Sequence, residues 1–443
     1  MPAPHLARSL RLWDLVFIGI ILVQPTAPMP LYGVVQNIAH GHTVTTILIA
    51  MVAMLFTAIS YGRMARAYPS AGSAYTYVGQ ELHPALGYAT GWSMLMDYVL
   101  NPVICTIWCA KAAQAELGMI PYPLWALFFA GLFTFMNLRR IRATARINEF
   151  LTIAMSVVIL AMLVCTVRYV AGLPALNLGF FTRPFYDPQT FTWGRIATGT
   201  SLAVLTYIGF DGISTLSEEV ENPRRNILVA TVLICLIIGV LSAVEVYAAQ
   251  LVQPAGQQFA SKDVETAYAQ VAGRAGGMWL FHAINLTLIV ATIGSGAGAQ
   301  LSGARLLYGM GRDNAIPRRI FGAIDAKKNI PANNVMWIGG IAFGVAMLIT
   351  YETGAALLNF GALIGFMGVN VAAFVRYFVR ADEKKLTHAI PPLLGALICL
   401  GIWLSLETPA KVVGGLWLVL GIAYGAWKTS GFKRSINFEV PAE

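Results

Sequence analysis

A chain of 443 residues with 57% hydrophobic and only 12% charged positions has too little polar surface to cover a soluble globule of its size. Its net charge of +9 is spread over separate short loops rather than gathered in one patch, which argues against nucleic-acid binding. No phosphate loop of Walker type is present, so ATP-driven transport within this polypeptide is not expected. The histidines are dispersed, and Cys105, Cys109, Cys165, Cys235 and Cys399 all fall in apolar stretches as small core residues, so neither a metal site, a cofactor nor an enzyme is expected. The composition reads as an all-α polytopic membrane protein.

In chain order, stretches of the roughly 20 apolar residues a span requires occur near 13–38, 44–67, 86–115, 121–138, 147–170, 193–217, 226–252, 279–309, 335–352, 355–380, 389–406 and 410–428, numbered here as spans 1 to 12. The first follows Arg8 and Arg11 without a small-residue cleavage pattern, so no cleaved signal is expected. Of the 30 lysines and arginines, all but Lys111, Arg168, Arg183, Arg195, Lys262, Arg274 and Lys411 fall on one side if both termini are cytoplasmic. That asymmetry satisfies the positive-inside rule. The two longest connections, around 171–192 and 253–278, are then external, each with room for a short surface helix. Gly294, Gly296, Gly298 and Gly303 in span 8 suit close helix approach or ligand contact.

Two spans are interrupted. Span 1 contains Gln24-Pro25-Thr26-Ala27-Pro28-Met29-Pro30, where three prolines in seven residues preclude a continuous helix. Gln24, Thr26 and Ala27 would supply side-chain and unwound-backbone contacts there. Span 6 carries Asp211 between Gly209 and Gly212, a carboxylate whose cost in hydrocarbon is met only by a cavity, a proton path or a cationic partner. Breaks five spans apart are the relation expected of inverted repeats, 13–170 and 193–380, followed by two additional helices over 389–428.

The intramembrane acids are Asp97, Asp211 and Glu245, each weighed against a structural role as a cap or buried pair. Tyr98, Asn101, Tyr207 and Trp108 are weaker candidates, since an aromatic ring either holds an ammonium or fills the core. Asn101 lies one turn beyond Asp97, where it can hydrogen-bond a ligand. Glu218 and Glu219, with Arg224 and Arg225, fall near the cytoplasmic face as a gate or a loop salt bridge.

The run Tyr68-Pro69-Ser70-Ala71-Gly72-Ser73-Ala74-Tyr75-Thr76-Tyr77 carries a resemblance to a known family. So do Gly91-Trp92-Ser93 with Asp97-Tyr98, Phe210-Asp211-Gly212-Ile213-Ser214 through Glu218-Glu219 to Asn222-Pro223-Arg224-Arg225-Asn226, Arg312-Asp313, and Asn359-Phe360-Gly361-Ala362-Leu363. Over nearly its whole length the chain resembles the amino acid-polyamine-organocation superfamily, and within it the bacterial putrescine importer group. The resemblance implies a leucine-transporter-like fold of five-plus-five inverted repeats with two further helices, and secondary transport in a bacterial inner membrane.

The resemblance also implies roles. Asp97 stands where relatives carrying cationic amino acids have Glu-Tyr, and Asp211 matches an acid implicated in proton coupling. In the importer pattern an aspartate follows the Gln-Pro of span 1 where this chain has Pro30, so one carboxylate that would greet a diamine is absent. The lysine that some relatives use in span 5 is missing from 149–170, and a sodium site would rely on Ser295 and Ser302 near the glycines of span 8. The expectation is a proton-coupled importer of a small amine such as putrescine, with sodium as the other coupling ion. The alternative is a permease for neutral or cationic amino acids, whose substrate carboxylate would sit at the positive half-helix end of span 1 or 6. A transport-incompetent receptor on the same fold is the reading from another class. Oligomeric state is not encoded in any motif.

Overall fold

The computed structural model describes residues 10–68, 73–139, 145–174, 176–216, 220–253, 256–312, 314–325 and 330–429, and of residues 145–151, 215 and 216 the backbone alone. Among them every regular element is helical, and the extended contacts are two isolated bridges, Leu10 with Val220 and Asp325 with Ile330. Among the described residues nine helical segments are long and apolar enough to cross a bilayer, and Leu12–Val23 with Pro28–Ile38, bent by 52° at the expected place, makes a tenth when counted as one span. Two shorter apolar helices, Tyr122–Leu138 and Ala332–Ala346, stand where spans 4 and 9 were expected. Large apolar side chains on spans 5 and 12, among them Leu160, Val164, Leu416 and Leu420, are left exposed. In water that would be costly; in lipid it is the natural surface of a multi-pass membrane protein.

Spans 9 and 10 part earlier than the sequence suggested. The side chain of Thr350 accepts the amide of Thr353 at 3.2 Å and starts the helix Tyr351–Phe374, so the boundary falls at 347–350 instead of 353–354. The Thr-x-x-Thr cap outranks an apolar count.

Connections fall on two faces, one shared with Leu10 and Thr429 and one opposite. On the opposite face Leu178–Thr182 lies on the surface as expected. The helix Ala267–Gly276 does not: Ala267, Tyr268, Ala269, Val271 and Ala272 are buried. Its seating depends on Gly33 of span 1, where any side chain would overlap the carbonyl of Val264 and the methyl of Ala267. Asn37 fastens the same connection through paired bonds to Phe259, each of 2.9 Å, and the indole of Trp108 donates to the Glu265 carbonyl at 3.0 Å.

On the terminal face a short helix, Ser73–Glu81, precedes span 3. Glu81 is 2% exposed and accepts from Arg376 and Arg380, both at 2.8 Å, and from the Tyr68 hydroxyl at 2.8 Å. The two arginines, four residues apart, reach one carboxylate from the close of span 10, which ends in a π-helical turn, Val375–Val379. Burial and the neighbouring Glu81 push the Tyr68 hydroxyl above its ordinary range.

Candidate functional site

The two interruptions face one region of the protein interior. In span 1 the backbone leaves helical geometry at Gln24, with φ 72° and ψ 129°, and the amide of Ala27 bonds back to the Gln24 carbonyl at 3.1 Å. Pro28 then opens the second half-helix, its missing N–H and fixed φ suiting that position. In span 6 the α-helix Trp193–Ala203 tightens to a 3-10 turn at Val204–Tyr207, turns at Gly209 with φ 115°, and resumes as the 3-10 segment Phe210–Leu216. Only glycine takes that φ without strain.

A helix that stops inside a membrane leaves carbonyls without partners, and in hydrocarbon these must be met by protein. Asn359 of span 10 does this for span 6: its amide donates to the carbonyls of Ser201 at 2.8 Å and Leu202 at 3.3 Å. Gln24 does the converse for span 1, its own side chain donating to the Ala291 carbonyl of span 8 at 2.8 Å. Asn359 was visible in sequence only as part of a motif. Its role needed the fold.

Asp97 and Asp211 are brought together. Each is 2% exposed, and they lie close enough for their charges to interact. Tyr98 donates its hydroxyl to Asp211 at 3.3 Å. The Asp211 carboxylate also lies against the backbone amides of Gly209, Asp211 and Gly212, while its carbonyl accepts from Ser214 at 2.6 Å. Among the described residues no ion pair joins either acid to a lysine or arginine. Span 10 presses on this part of span 3 at Gly361, where a methyl would overlap the Ser93 carbonyl and crowd the Asp97 amide.

The remaining candidates divide. Thr26 is buried and donates to the Met155 sulfur at 3.6 Å, and Ala27 is partly exposed at the break. Asn101 sits one turn beyond Asp97 and accepts from Cys105 at 3.4 Å. Tyr207 points away: its hydroxyl donates to the Ile47 carbonyl of span 2 at 2.9 Å. Trp108 spends its N–H on the connection described above. Glu245 is fully buried in span 7, apart from the other two acids, and neither carboxylate oxygen has a hydrogen-bond partner, although the Tyr268 hydroxyl reaches its backbone carbonyl at 3.3 Å. Glu218 and Glu219 lie outside the described residues. Of the glycines in span 8, Gly296 packs on Phe133 and Gly303 on Ile338 and Tyr98, whereas nothing stands within contact of a methyl placed at Gly294 or Gly298.

Two residues near the site were not singled out from sequence. Pro102 lies inside the helix Pro84–Glu116 and cannot donate to the carbonyl of Tyr98, freeing that oxygen beside Gly303. The signal was present: an Asn-Pro pair one turn past an intramembrane Asp-Tyr. Tyr61 of span 2 is fully buried in a cluster with Tyr77, Phe210 and Phe366, with ring centroids 5.5 to 6.3 Å apart. Nothing in the local sequence of span 2 distinguishes it from a core tyrosine.

The architecture and this constellation agree with comparisons to known proteins. The model of the amino acid permease family matches residues 10–432. The low-affinity putrescine importer PlaP of Escherichia coli strain K12 is 33% identical over 98% of this chain and 96% of its own length. The branched-chain amino acid permease BcaP of Lactococcus lactis is 25% identical over 95% of this chain and 94% of its own. A vacuolar cationic amino acid transporter of Arabidopsis thaliana, number 4, is 26% identical over 87% of this chain and 66% of its own. With a family model covering nearly all of it, and a broken pair of spans holding buried acids at its centre, this chain belongs to the amino acid permease family of the amino acid-polyamine-organocation superfamily, and is a transporter of amines or amino acids.

Proposed function

We propose that the protein imports a small organic amine such as putrescine, or a related polyamine, across the bacterial inner membrane by proton-coupled alternating access. The observation that carries the reading is the pair Asp97 and Asp211: two buried carboxyls within electrostatic reach of each other, with no cation paired to them among the described residues. A cationic substrate supplies the missing counter-charge, and the pair gains from low local dielectric only when so occupied. The likeness to a putrescine importer over nearly the full length points the same way.

Proton coupling through Asp211 is favoured over sodium by the junction of spans 1 and 8. Oxygen ligands from both would be needed there, and the Ala291 carbonyl already accepts from Gln24. The two half-spans would move against a frame of the remaining helices, with 13–170 and 193–380 as inverted repeats, 389–428 as additional helices and both termini cytoplasmic. A second reading, a permease for neutral or cationic amino acids, draws on the similarity to a branched-chain permease and a vacuolar cationic transporter.

Uptake into proteoliposomes of putrescine, spermidine, arginine and alanine in parallel separates the two. Putrescine uptake driven by an inward proton gradient is expected; displacement by alanine and none by diamines moves the reading to the second. In the same assay Asp211→Asn should keep substrate binding and lose the dependence on the gradient, and an unchanged dependence removes Asp211 from coupling. Asp97→Asn should weaken binding of cationic substrates by roughly 2–4 kcal/mol, because one buried charge is left without its partner. Native affinity with only a lowered melting temperature would make Asp97 a structural cap.

A further inference from the structure

A half-helix that begins inside a membrane protein offers the unpartnered amides of its first turn to an anion, and a substrate carboxylate is the natural occupant. This protein has two interruptions at which such amides arise, and at both several of them are missing or engaged. At the start of Pro28–Ile38, positions 28 and 30 are proline and have no N–H, while the amide of Met29 donates to the Thr26 carbonyl at 3.1 Å. At the start of Phe210–Leu216 the amides of Gly209, Asp211 and Gly212 face the carboxylate of Asp211 itself, and that of Gly212 also donates to the Gly209 carbonyl at 3.0 Å. The hydroxyl of Tyr98 is turned to the same carboxylate.

An incoming carboxylate therefore finds two donors missing and a third engaged at the first break, and an acid side chain already seated at the second. It would also stand beside Asp97, a further buried acid with no cation to relieve the repulsion among the described residues. An ammonium meets the reverse: two carboxylates, the freed carbonyl of Tyr98, and no competing cation among the described residues.

We propose that the protein rejects substrates bearing a carboxylate, and that Pro28, Pro30 and Asp211 are the residues that set this specificity. Pro28 and Pro30 act by removing donors, and Asp211 acts by occupying those that remain. The ligand class is a small amine with one or more ammonium groups and no acid. This rests on the transporter reading above and narrows its substrate class.

Putrescine and ornithine test it as a matched pair, since ornithine is putrescine carrying one carboxylate. Binding of each to the purified full-length protein is measured by calorimetry, alongside ornithine methyl ester, spermidine, arginine and leucine. Ornithine should bind at least about tenfold more weakly than putrescine, the scale of one lost charge-assisted hydrogen bond, and the methyl ester should recover most of that loss. The double variant Pro28→Ala with Pro30→Ala returns two amides, and should narrow the putrescine-to-ornithine ratio by about tenfold through tighter ornithine binding.

Wild-type protein that binds ornithine as tightly as putrescine, or that binds arginine or leucine well, overturns the proposal. An ester no better than the acid does the same without any variant, so the ligand comparison decides the matter even where the double variant fails to fold. A ratio unmoved in a folded double variant removes the prolines from the mechanism. Should putrescine fail to bind while spermidine binds and the amino acids do not, the putrescine assignment falls and the rejection of carboxylates stands.

Discussion

The two interrupted spans solve one problem by opposite means. At span 1 the break is written in its own residues: proline forbids a continuous helix on one side, and Gln24 takes a left-handed φ of 72° that glycine would adopt more cheaply, holding itself there by a side-chain bond to span 8. At span 6 the backbone is free to turn because residue 209 is glycine, but the carbonyls released are met from outside, by Asn359 of span 10. The first break is fixed by its own prolines with Gln24 tied to span 8, and the second by a contact reaching in from span 10. The second is the one that carries an acid, Asp211, so the acid sits where the backbone is held from outside.

That contrast breaks first at Gly209. Gly209→Val forces a β-branched residue to φ 115° beside the Leu22 carbonyl, and about 3 kcal/mol of destabilisation is expected, with uptake abolished and the melting temperature in detergent sharply lowered. A folded, active Gly209→Val protein would mean that span 6 does not need its turn. Asn359→Leu comes next. Two carbonyls each lose a donor in a buried setting, Leu202 keeping that of the Val204 amide, at a cost of about 1–3 kcal/mol, and uptake should fall well beyond what the stability loss explains because the geometry of Asp211 depends on the turn; a fall in melting temperature with native uptake would uncouple the two. The smallest effect is expected at span 1. Gln24→Ala removes one buried hydrogen bond, about 1 kcal/mol, while the prolines keep the break in place, so binding should be retained. If Gln24→Ala proves as damaging as Gly209→Val, the first break is held by tertiary contact after all.

The parts of the fold legible in the sequence were those encoded in composition and in single residue types. Twenty-residue apolar runs and three clustered prolines have a direct physical reading in a membrane, as does a glycine-flanked aspartate for the site of a break, and the structure places helices and breaks accordingly. What was hidden depends on partners distant in sequence. Nothing near Tyr207 says that its hydroxyl turns to Ile47, 160 positions away, instead of toward the ligand region. The helix Ala267–Gly276 is weakly apolar, and its burial depends on the close approach that Gly33, more than 230 positions earlier, permits. The boundary between spans 9 and 10 was misplaced because a threonine cap leaves no trace in hydropathy.

The clamp on Glu81 has a further consequence. Ser73, at the other end of the same nine-residue helix, shares a hydrogen bond of 2.9 Å with Ser214 of the interrupted span 6. The helix is thus a strut pinned at one end to the segment that follows Asp211 and at the other, through Arg376 and Arg380, to the close of span 10. Span 10 also supplies Asn359 to the opposite side of that break. The interrupted span is therefore tied to span 10 on both sides of its turn, besides its bond to Ile47 of span 2, and a shift of span 6 against span 10 requires one of those two fastenings to let go.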